Sequence, residues 1–335
     1  MARPASAATI RLRRATTTAR VRGVIPPPRR ACSRAGGKGG AEGGGGPSRP
    51  VRSATMGIKL YGLQLGTFPM PMAALFDPSL GREPERFEGD VVDGMYQCPA
   101  LSYVIEHPDS GRILFETGIA PTWAEEWLPE WLQMLNLGAV TPEVCLEAVL
   151  RERNLGPEDF SHVIQGHLHA DHAGGLRLFE DAGATIVVHE DEWRHVVSNV
   201  SDADEFFIRA DWNFVSRAPQ MLMYGEQEIA KDLWCISLPG HTPGTMGILA
   251  RLDETGWVLL TSDAMFFHDT LGPPPANSPI DMDKEAWNNS IARIGSIAAD
   301  RDAWLLPGHD TTGAQFVDGV RGAKRIEYTP GSVYA

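Results

Sequence analysis

His167-Leu168-His169-Ala170-Asp171-His172 places three imidazoles and a carboxylate within six residues. Such a cluster is costly to bury unless it holds a metal. Neutral imidazoles and carboxylates are the ligands zinc prefers, whereas calcium and magnesium take all-oxygen sets and iron-sulfur clusters need thiolates. The stretch therefore reads as half of a dinuclear zinc site. Ser161 to Gly166, before it, has the short, partly β-branched pattern of a buried strand, and Ala173-Gly174-Gly175, after it, lets a turn open into a helix. His167 and His169, two apart in extended chain, share one side, while Asp171 and His172 fall beyond the bend and face a second position.

Two ions need more than four protein groups, and the chain supplies three more, in order. Leu233 to Leu238 leads into Pro239-Gly240-His241-Thr242-Pro243-Gly244, Trp257 to Leu260 into Thr261-Ser262-Asp263, and Trp304-Leu305-Leu306 into Pro307-Gly308-His309-Asp310. Each apolar run predicts a buried strand with a polar residue at its end, where loops on a rigid sheet carry sites. Strand patterns alternate with helical stretches such as Thr141 to Arg153 and Lys284 to Ala299, which predicts an α/β fold. His107, before a Pro108-Asp109-Ser110-Gly111 hairpin, and His162 read as structural; His189 and His195 match no ligand motif.

This ordered set, from about Ile58 to the C-terminus, resembles the metallo-β-lactamase superfamily. Ile58 to Gly66, Pro239 to Gly244, Ser262-Asp263-Ala264, Gly308-His309-Asp310 and the ending Val333-Tyr334-Ala335 are most similar to the N-acyl homoserine lactonases. The resemblance implies an αββα sandwich, two mixed sheets face to face with helices outside. It implies two zinc ions, the first on His167, His169 and His241, the second on Asp171, His172 and His309, with Asp263 bridging. A homodimer is compatible with it.

Two positions depart from the family pattern. Where superfamily members usually carry an aspartate, Ile113-Leu114-Phe115 leads into Glu116-Thr117-Gly118, so Glu116 is expected to support the ligands by hydrogen bonding from behind. Phe266 stands where homoserine lactonases have a tyrosine that assists the substrate carbonyl. Tyr61 or Tyr96 could replace that hydroxyl, the metals could polarise the carbonyl alone, or the substrate could differ.

The implied chemistry is attack of a metal-bridging hydroxide on a lactone carbonyl, with Asp171 as ligand and as proton shuttle to the departing alkoxide. The substrate is a small lactone, an N-acyl homoserine lactone or a relative. A thioesterase resembling glyoxalase II, or a sulfate or phosphate ester hydrolase, is the competing reading. Phe266, Phe267 and His268, beside Asp263, are expected to contact substrate. Phe68, Met70 and Met72, also expected as substrate contacts, belong to the Met-rich, proline-broken run Gly66 to Phe76, which suits either a flexible lid over a hydrophobic pocket or core packing. Trp123, Trp127 and Trp131, four apart around Pro129, predict a kinked helix face used for packing, a dimer contact or a pocket wall.

The chain has 335 residues, enough for one large domain, here 56–335, with an appended segment, 1–55. Twelve of its thirty Lys and Arg but one of its forty-three acids, Glu42, lie in the first 55 residues. The body is left with eighteen basic and forty-two acidic side chains, a formal balance of −24, which argues against nucleic-acid partners. The basic tail with its Gly43 to Gly46 run is expected to be disordered, and fits either an organelle transit peptide or codons upstream of a start at Met56. No apolar run is long enough to span a membrane, and scattered Cys32, Cys98, Cys145 and Cys235 suit a reducing compartment, so a cytoplasmic location is expected, or a plastid or mitochondrion if the tail is a transit peptide.

Overall fold

The computed structural model describes residues 57–84, 91–135, 137–200, 203–204, 206–310, 312–317, 320–327 and 333–334. The basic tail, 1–55, lies outside the described residues, as do Met56 and Cys32.

Long apolar alternation builds two sheets. The first contains β1 (Lys59–Pro71), β2 (Val91–Val92), β3 (Met95–His107), β4 (Gly111–Phe115), β5 (Phe160–Ile164), β6 (Thr185–His189), β9 (Gln220–Met223) and β17 (Val333–Tyr334). Its order is β17-β1-β3-β4-β5-β6-β9, with β2 on β3. The second runs β10 (Gln227–Ala230), β11 (Leu233–Ser237), β12 (Met246–Leu252), β13 (Gly256–Leu260), β14 (Trp304–Leu306), β15 (Thr312–Val317) and β16 (Val320–Glu327). A small hairpin joins β7 (Ala203–Asp204) to β8 (Phe207–Ile208). Both large sheets are mixed: β4, β5, β6 and β9 run parallel, as do β13 and β14, and the other pairings are antiparallel.

Alternate residues of the strands face one another across the sandwich. Leu60, Leu101, Tyr103, Ile105, Ile113, Phe115 and Ile164 from the first sheet pack on Leu233, Cys235, Ile248, Val258, Leu260 and Leu306 from the second. The opposite parity faces outward under helices. On the second sheet Ile236, Leu249, Leu259 and Leu305 receive Trp287, Ile291, Ile294, Ile297 and Ala298 of α8 (Lys284–Arg301), an apolar stripe at helical spacing. Asp283 caps this helix by accepting from the amides of Glu285 and Ala286. On the first sheet the outer layer is made of short helices: α1 (Met72–Leu75), α2 (Trp123–Glu126), α3 (Pro129–Met134), α4 (Leu146–Glu152), α5 (Ala170–Ala173), α6 (Glu190–Asn199) and α7 (Arg209–Trp212). The expected αββα sandwich is thus the observed one. No described helix is long and apolar enough to cross a membrane.

Three local expectations differ. The run Gly66 to Phe76 is not a loop-like lid: β1 continues to Pro71, because β3 offers ladder partners as far as Met95. Pro69 and Pro71 are tolerated there because the other edge of β1 pairs with β17 only at Leu60 and Tyr61 among the described residues. The tryptophan stripe is two helices, not one kinked helix, since Pro129 has no amide hydrogen to continue α2 and instead opens α3 at its first turn. Thr141 to Arg153 likewise divides into a 3-10 turn, Pro142–Val144, and α4.

The ends of β4, β5, β11, β13 and β14 carry Glu116, His167, His241, Asp263 and His309 into one edge of the sandwich. The turn bearing His241 is seated against α8: Gly240 has φ +136°, and a Cβ there would stand 2.4 Å from the backbone of Trp287. Gly240→Ala is expected to destabilise the protein by about 1–3 kcal/mol through this overlap, read as a lower denaturant midpoint; an unchanged midpoint would mean that the turn does not depend on its contact with α8.

Candidate metal centre

Four of these strand ends, those of β5, β11, β13 and β14, and α5 bring the seven residues of the ligand set together. His167, His169 and His241 form one group, and Asp171, His172, Asp263 and His309 a second. All but the partly buried Asp171 are buried. Asp263 stands between the groups. Its Oδ2 lies 3.4 Å from His241 Nε2, 3.8 Å from His167 Nε2 and 3.2 Å from His309 Nε2, while Oδ1 lies 3.2 Å from His172 Nε2.

The partner of each ring's other nitrogen sets which lone pair faces inward. His309 Nδ1 donates to the Pro99 carbonyl at 3.0 Å, which leaves Nε2 as the inward lone pair. His241 Nδ1 lies 3.1 Å from the Asp281 carboxylate, with the same result. His167 Nδ1 lies 3.2 Å from Ser262 Oγ, which donates to Glu116 Oε1 at 2.7 Å, so the ring supplies the proton and Nε2 again faces inward. His167 Nε2 and Asp263 Oδ1 are buried without a hydrogen-bond partner. Such atoms cost roughly 1–3 kcal/mol each unless something compensates them.

A divalent cation is what they fit. Ligands at the corners of a tetrahedron about 2.0–2.1 Å from zinc stand about 3.3–3.4 Å apart. His169 Nδ1 to His241 Nε2 measures 3.0 Å, His172 Nε2 to His309 Nε2 3.3 Å, and His309 Nε2 to Asp263 Oδ2 3.2 Å.

Charge follows the same division. Burial, aided by neighbouring imidazoles, holds His167 and His169 well below the ordinary histidine range, so both are neutral and ready to ligate. Burial pulls His172 and His309 the same way, but the carboxylates prevail, Asp263 foremost, and raise both. Asp263 is held well below the carboxylate range against its burial by His172 and His309; Asp171 falls to about 2 in the same balance. Both acids are therefore anionic at neutral pH.

Glu116, expected behind the ligands, is there. Besides accepting from Ser262, its Oε1 lies 3.3 Å from His172 Nδ1 in an ion-pair contact without hydrogen-bond geometry, so one carboxylate stands behind His167 through Ser262 and behind His172 through charge. Gly166 makes room for it: a Cβ at that position would lie 2.3 Å from Glu116 Oε1 and 2.5 Å from Ser262 Oγ. Asp281 and Glu192 went unread in the sequence. Glu192, buried in α6, accepts from Leu168 N at 2.9 Å and Gly244 N at 3.0 Å, joining the loop of His167 and His169 to the turn of His241. Nothing in Glu190-Asp191-Glu192 or Asp281-Met282-Asp283 separates these acids from solvated neighbours.

Above the ligands is a narrow void that opens toward solvent. His169, Asp171, His241, Asp263 and His309 form its polar part, and Phe68, Met70, Leu75, Trp127, Leu135, Phe206, Phe266 and Ile280 its apolar walls. Phe266 stacks on His309 at 5.3 Å and meets His241 edge-on. Met72, Phe267 and His268, expected as substrate contacts, do not line it. Met72 packs against the outer core from α1, where β1 has ended. Phe267 is turned into that core against Phe76 and Tyr96. His268 is buried, with Nδ1 2.5 Å from Asp310 Oδ2. Neither tyrosine reaches the void: Tyr61 donates to Glu106 at 3.1 Å, and Tyr96 donates to the carbonyl of His309 at 2.9 Å. The other histidines stay outside the cluster; His107 Nδ1 accepts two amides of its hairpin, and His189 caps α6.

Residues 95–309 match the metallo-beta-lactamase superfamily. The chain belongs to that superfamily. Among proteins of known activity, the metallo-beta-lactamase-fold chain is 26% identical over 272 residues to N-acyl homoserine lactonase AiiB of Agrobacterium fabrum, an alignment spanning 76% of this chain and 94% of the relative. It is 27% identical over 223 residues to the N-acyl homoserine lactonase of Bacillus cereus, spanning 64% and 83%. An N-acyl homoserine lactone hydrolase solved with N-hexanoyl-L-homoserine at its catalytic metal center superposes with a TM-score of 0.63 at 22% identity, covering 76% of this chain and 94% of that one. AidC, a dizinc quorum-quenching lactonase, superposes at 0.57 with 16% identity, covering 83% and 96%. These superpositions agree with the sandwich described above.

Glu116→Ala and Glu192→Gln are each expected to weaken metal binding about 10–100-fold while leaving the seven ligands in place. Competition against a graded chelator measures this; affinity equal to that of the unaltered protein in both variants would refute the supporting roles drawn from their hydrogen bonds.

Proposed function

We propose that this protein is a dizinc hydrolase that opens the lactone ring of N-acyl homoserine lactones or related lactones. The observation that carries the reading is a seven-residue ligand cluster at the polar end of an otherwise apolar void. The family membership and the lactonase relatives support it. The nitrogen and carboxylate donor set favours zinc.

Two zinc ions held by the two groups would make water acidic enough to attack near neutral pH and would polarise an ester carbonyl. The chain's own residues do the rest. Asp171 lines the void as a carboxylate, placed to take a proton and return it to the leaving alkoxide. Trp127, Leu135, Phe206 and Ile280 offer an acyl chain an apolar wall. Phe266, pressed on His309 and His241, excludes water beside the ligands and provides no hydroxyl.

That missing hydroxyl supports a second reading. Among the described residues no tyrosine, serine or threonine lines the void, so none of them supplies a hydroxyl to aid the carbonyl or protonate a leaving group. A thioester needs less help, since a thiol with pKa about 8.5 leaves readily as thiolate.

Protein loaded with zinc is expected to release acid from short- and long-chain N-acyl homoserine lactones, and chelator should stop it; thiol release from a glutathione thioester with no lactone turnover would instead select the second reading. His169→Ala should lose metal and activity together, and retention of full activity by a variant depleted of metal would refute the mechanism. Phe266→Tyr is expected to raise lactone turnover, measured as kcat, by placing a donor beside the carbonyl; an unchanged kcat would mean that the metals already supply that polarisation or that the carbonyl sits elsewhere.

A further inference from the structure

Two segments that wall the void have little internal means of holding their shape. α2, α3 and α7 have four, six and four residues, far below the length at which a helix is stable by itself. Yet α2 leads directly into Trp127, and Phe206 stands just ahead of α7; both side chains line the void. On the lining side the segments meet through rings: Trp131 of α3 stacks on Phe206 with centroids 4.9 Å apart and meets Trp127 edge-on at 6.1 Å.

Outside the lining the same segments meet through one cation. Arg177, in the 3-10 turn Leu176–Phe179 that follows the ligand stretch, donates to both oxygens of Glu126 at 2.8 Å, to Thr122 Oγ1 at 3.2 Å and to Asp211 Oδ1. Glu126 is the last residue of α2, and Asp211 lies in α7. Asp211 is 1% exposed, and its Oδ2 has no hydrogen-bond partner. Burial pushes its carboxyl up to about 7 even against the attraction of Arg177. A buried carboxylate in this condition is held in place by its counter-charge, and a planar fork that engages two acids at once is a job for arginine, not lysine.

We propose that Arg177 is a positioning residue for substrate selection: by clasping Glu126 and Asp211 it holds Trp127 and Phe206 at the spacing that admits an apolar acyl chain, without touching the ligand cluster. The selection part rests on the lactonase reading; the clasp does not.

The test compares the full protein with Arg177→Met, Arg177→Lys and the double variant Arg177→Met/Asp211→Asn, which leaves no unpaired buried carboxylate and serves if Arg177→Met fails to fold. Two readouts are taken: kcat and KM for butanoyl and decanoyl homoserine lactone, and amide hydrogen exchange over residues 123–134 and 206–212. Expected are exchange about tenfold faster in both segments, a decanoyl KM raised about five- to tenfold with kcat and metal content within about twofold, a smaller change for butanoyl, and no rescue by lysine. Unaltered exchange overturns the clasp. Faster exchange with an unaltered ratio of the two KM values overturns the role in selection. If the parent protein turns over neither lactone, the lactonase reading fails and acyl selection with it, and the exchange data still decide whether the clasp exists.

Discussion

Asp263 is a nearly dry carboxylate with imidazole nitrogens of four histidines within 3.8 Å, one from the loop after β5, one from α5 and one each from the turns after β11 and β14. An anion buried to this depth is costly unless its surroundings answer its charge, and the surroundings here come from β5, β11, β14 and α5. The two sheets must pack in one register for those elements to meet. The inter-sheet core of Leu, Ile and Val therefore does more than stabilise; it delivers the ligands to a common point.

Around that point, a layer of fixed acceptors decides which ring nitrogen faces inward. Pro99 serves His309, Asp281 serves His241, and Ser262 with Glu116 serves His167. Glu116 also reaches His172, so the longer side chain that stands in place of the usual aspartate still supports the ligands, with Gly166 yielding the space. Glu192 ties the first ligand loop to the His241 turn through backbone amides, which fixes two loops with one buried side chain. These fixed partners turn the ligand rings toward a common point.

The wall of the void obeys different physics. It is assembled from short helices with aromatic side chains, held by ring stacking inside and by the Arg177 clasp outside. The wall is nonetheless joined to the ligand stretch, since the Phe206 carbonyl accepts from Ala170 N at 2.9 Å and His169 pairs with Phe207.

Much of this was legible in the residues themselves. Four imidazoles and a carboxylate at strand ends, with Asp171 and His172 just beyond, point to a metal site because such side chains are seldom concentrated in apolar surroundings otherwise, and alternating strand and helix patterns imply a layered α/β fold. Of the two readings open for Gly66 to Phe76, core packing holds and the lid does not; prolines argue against a strand unless one edge is open, and openness is a property of the neighbours. Phe267 and His268 were placed in the pocket by nearness to Asp263 along the chain, yet successive residues of a turn point in different directions. Glu192, Asp281 and Arg177 look like any surface charge until packing buries them. The sequence by itself determined the donor set of the candidate metal centre, since residue type and order are local properties of the chain. Which nitrogen faces the centre of the cluster, which aromatic side chains wall the void, and which acids and bases hold them there were decided only by the tertiary structure, because each depends on groups that are distant in sequence and meet only when the two sheets close.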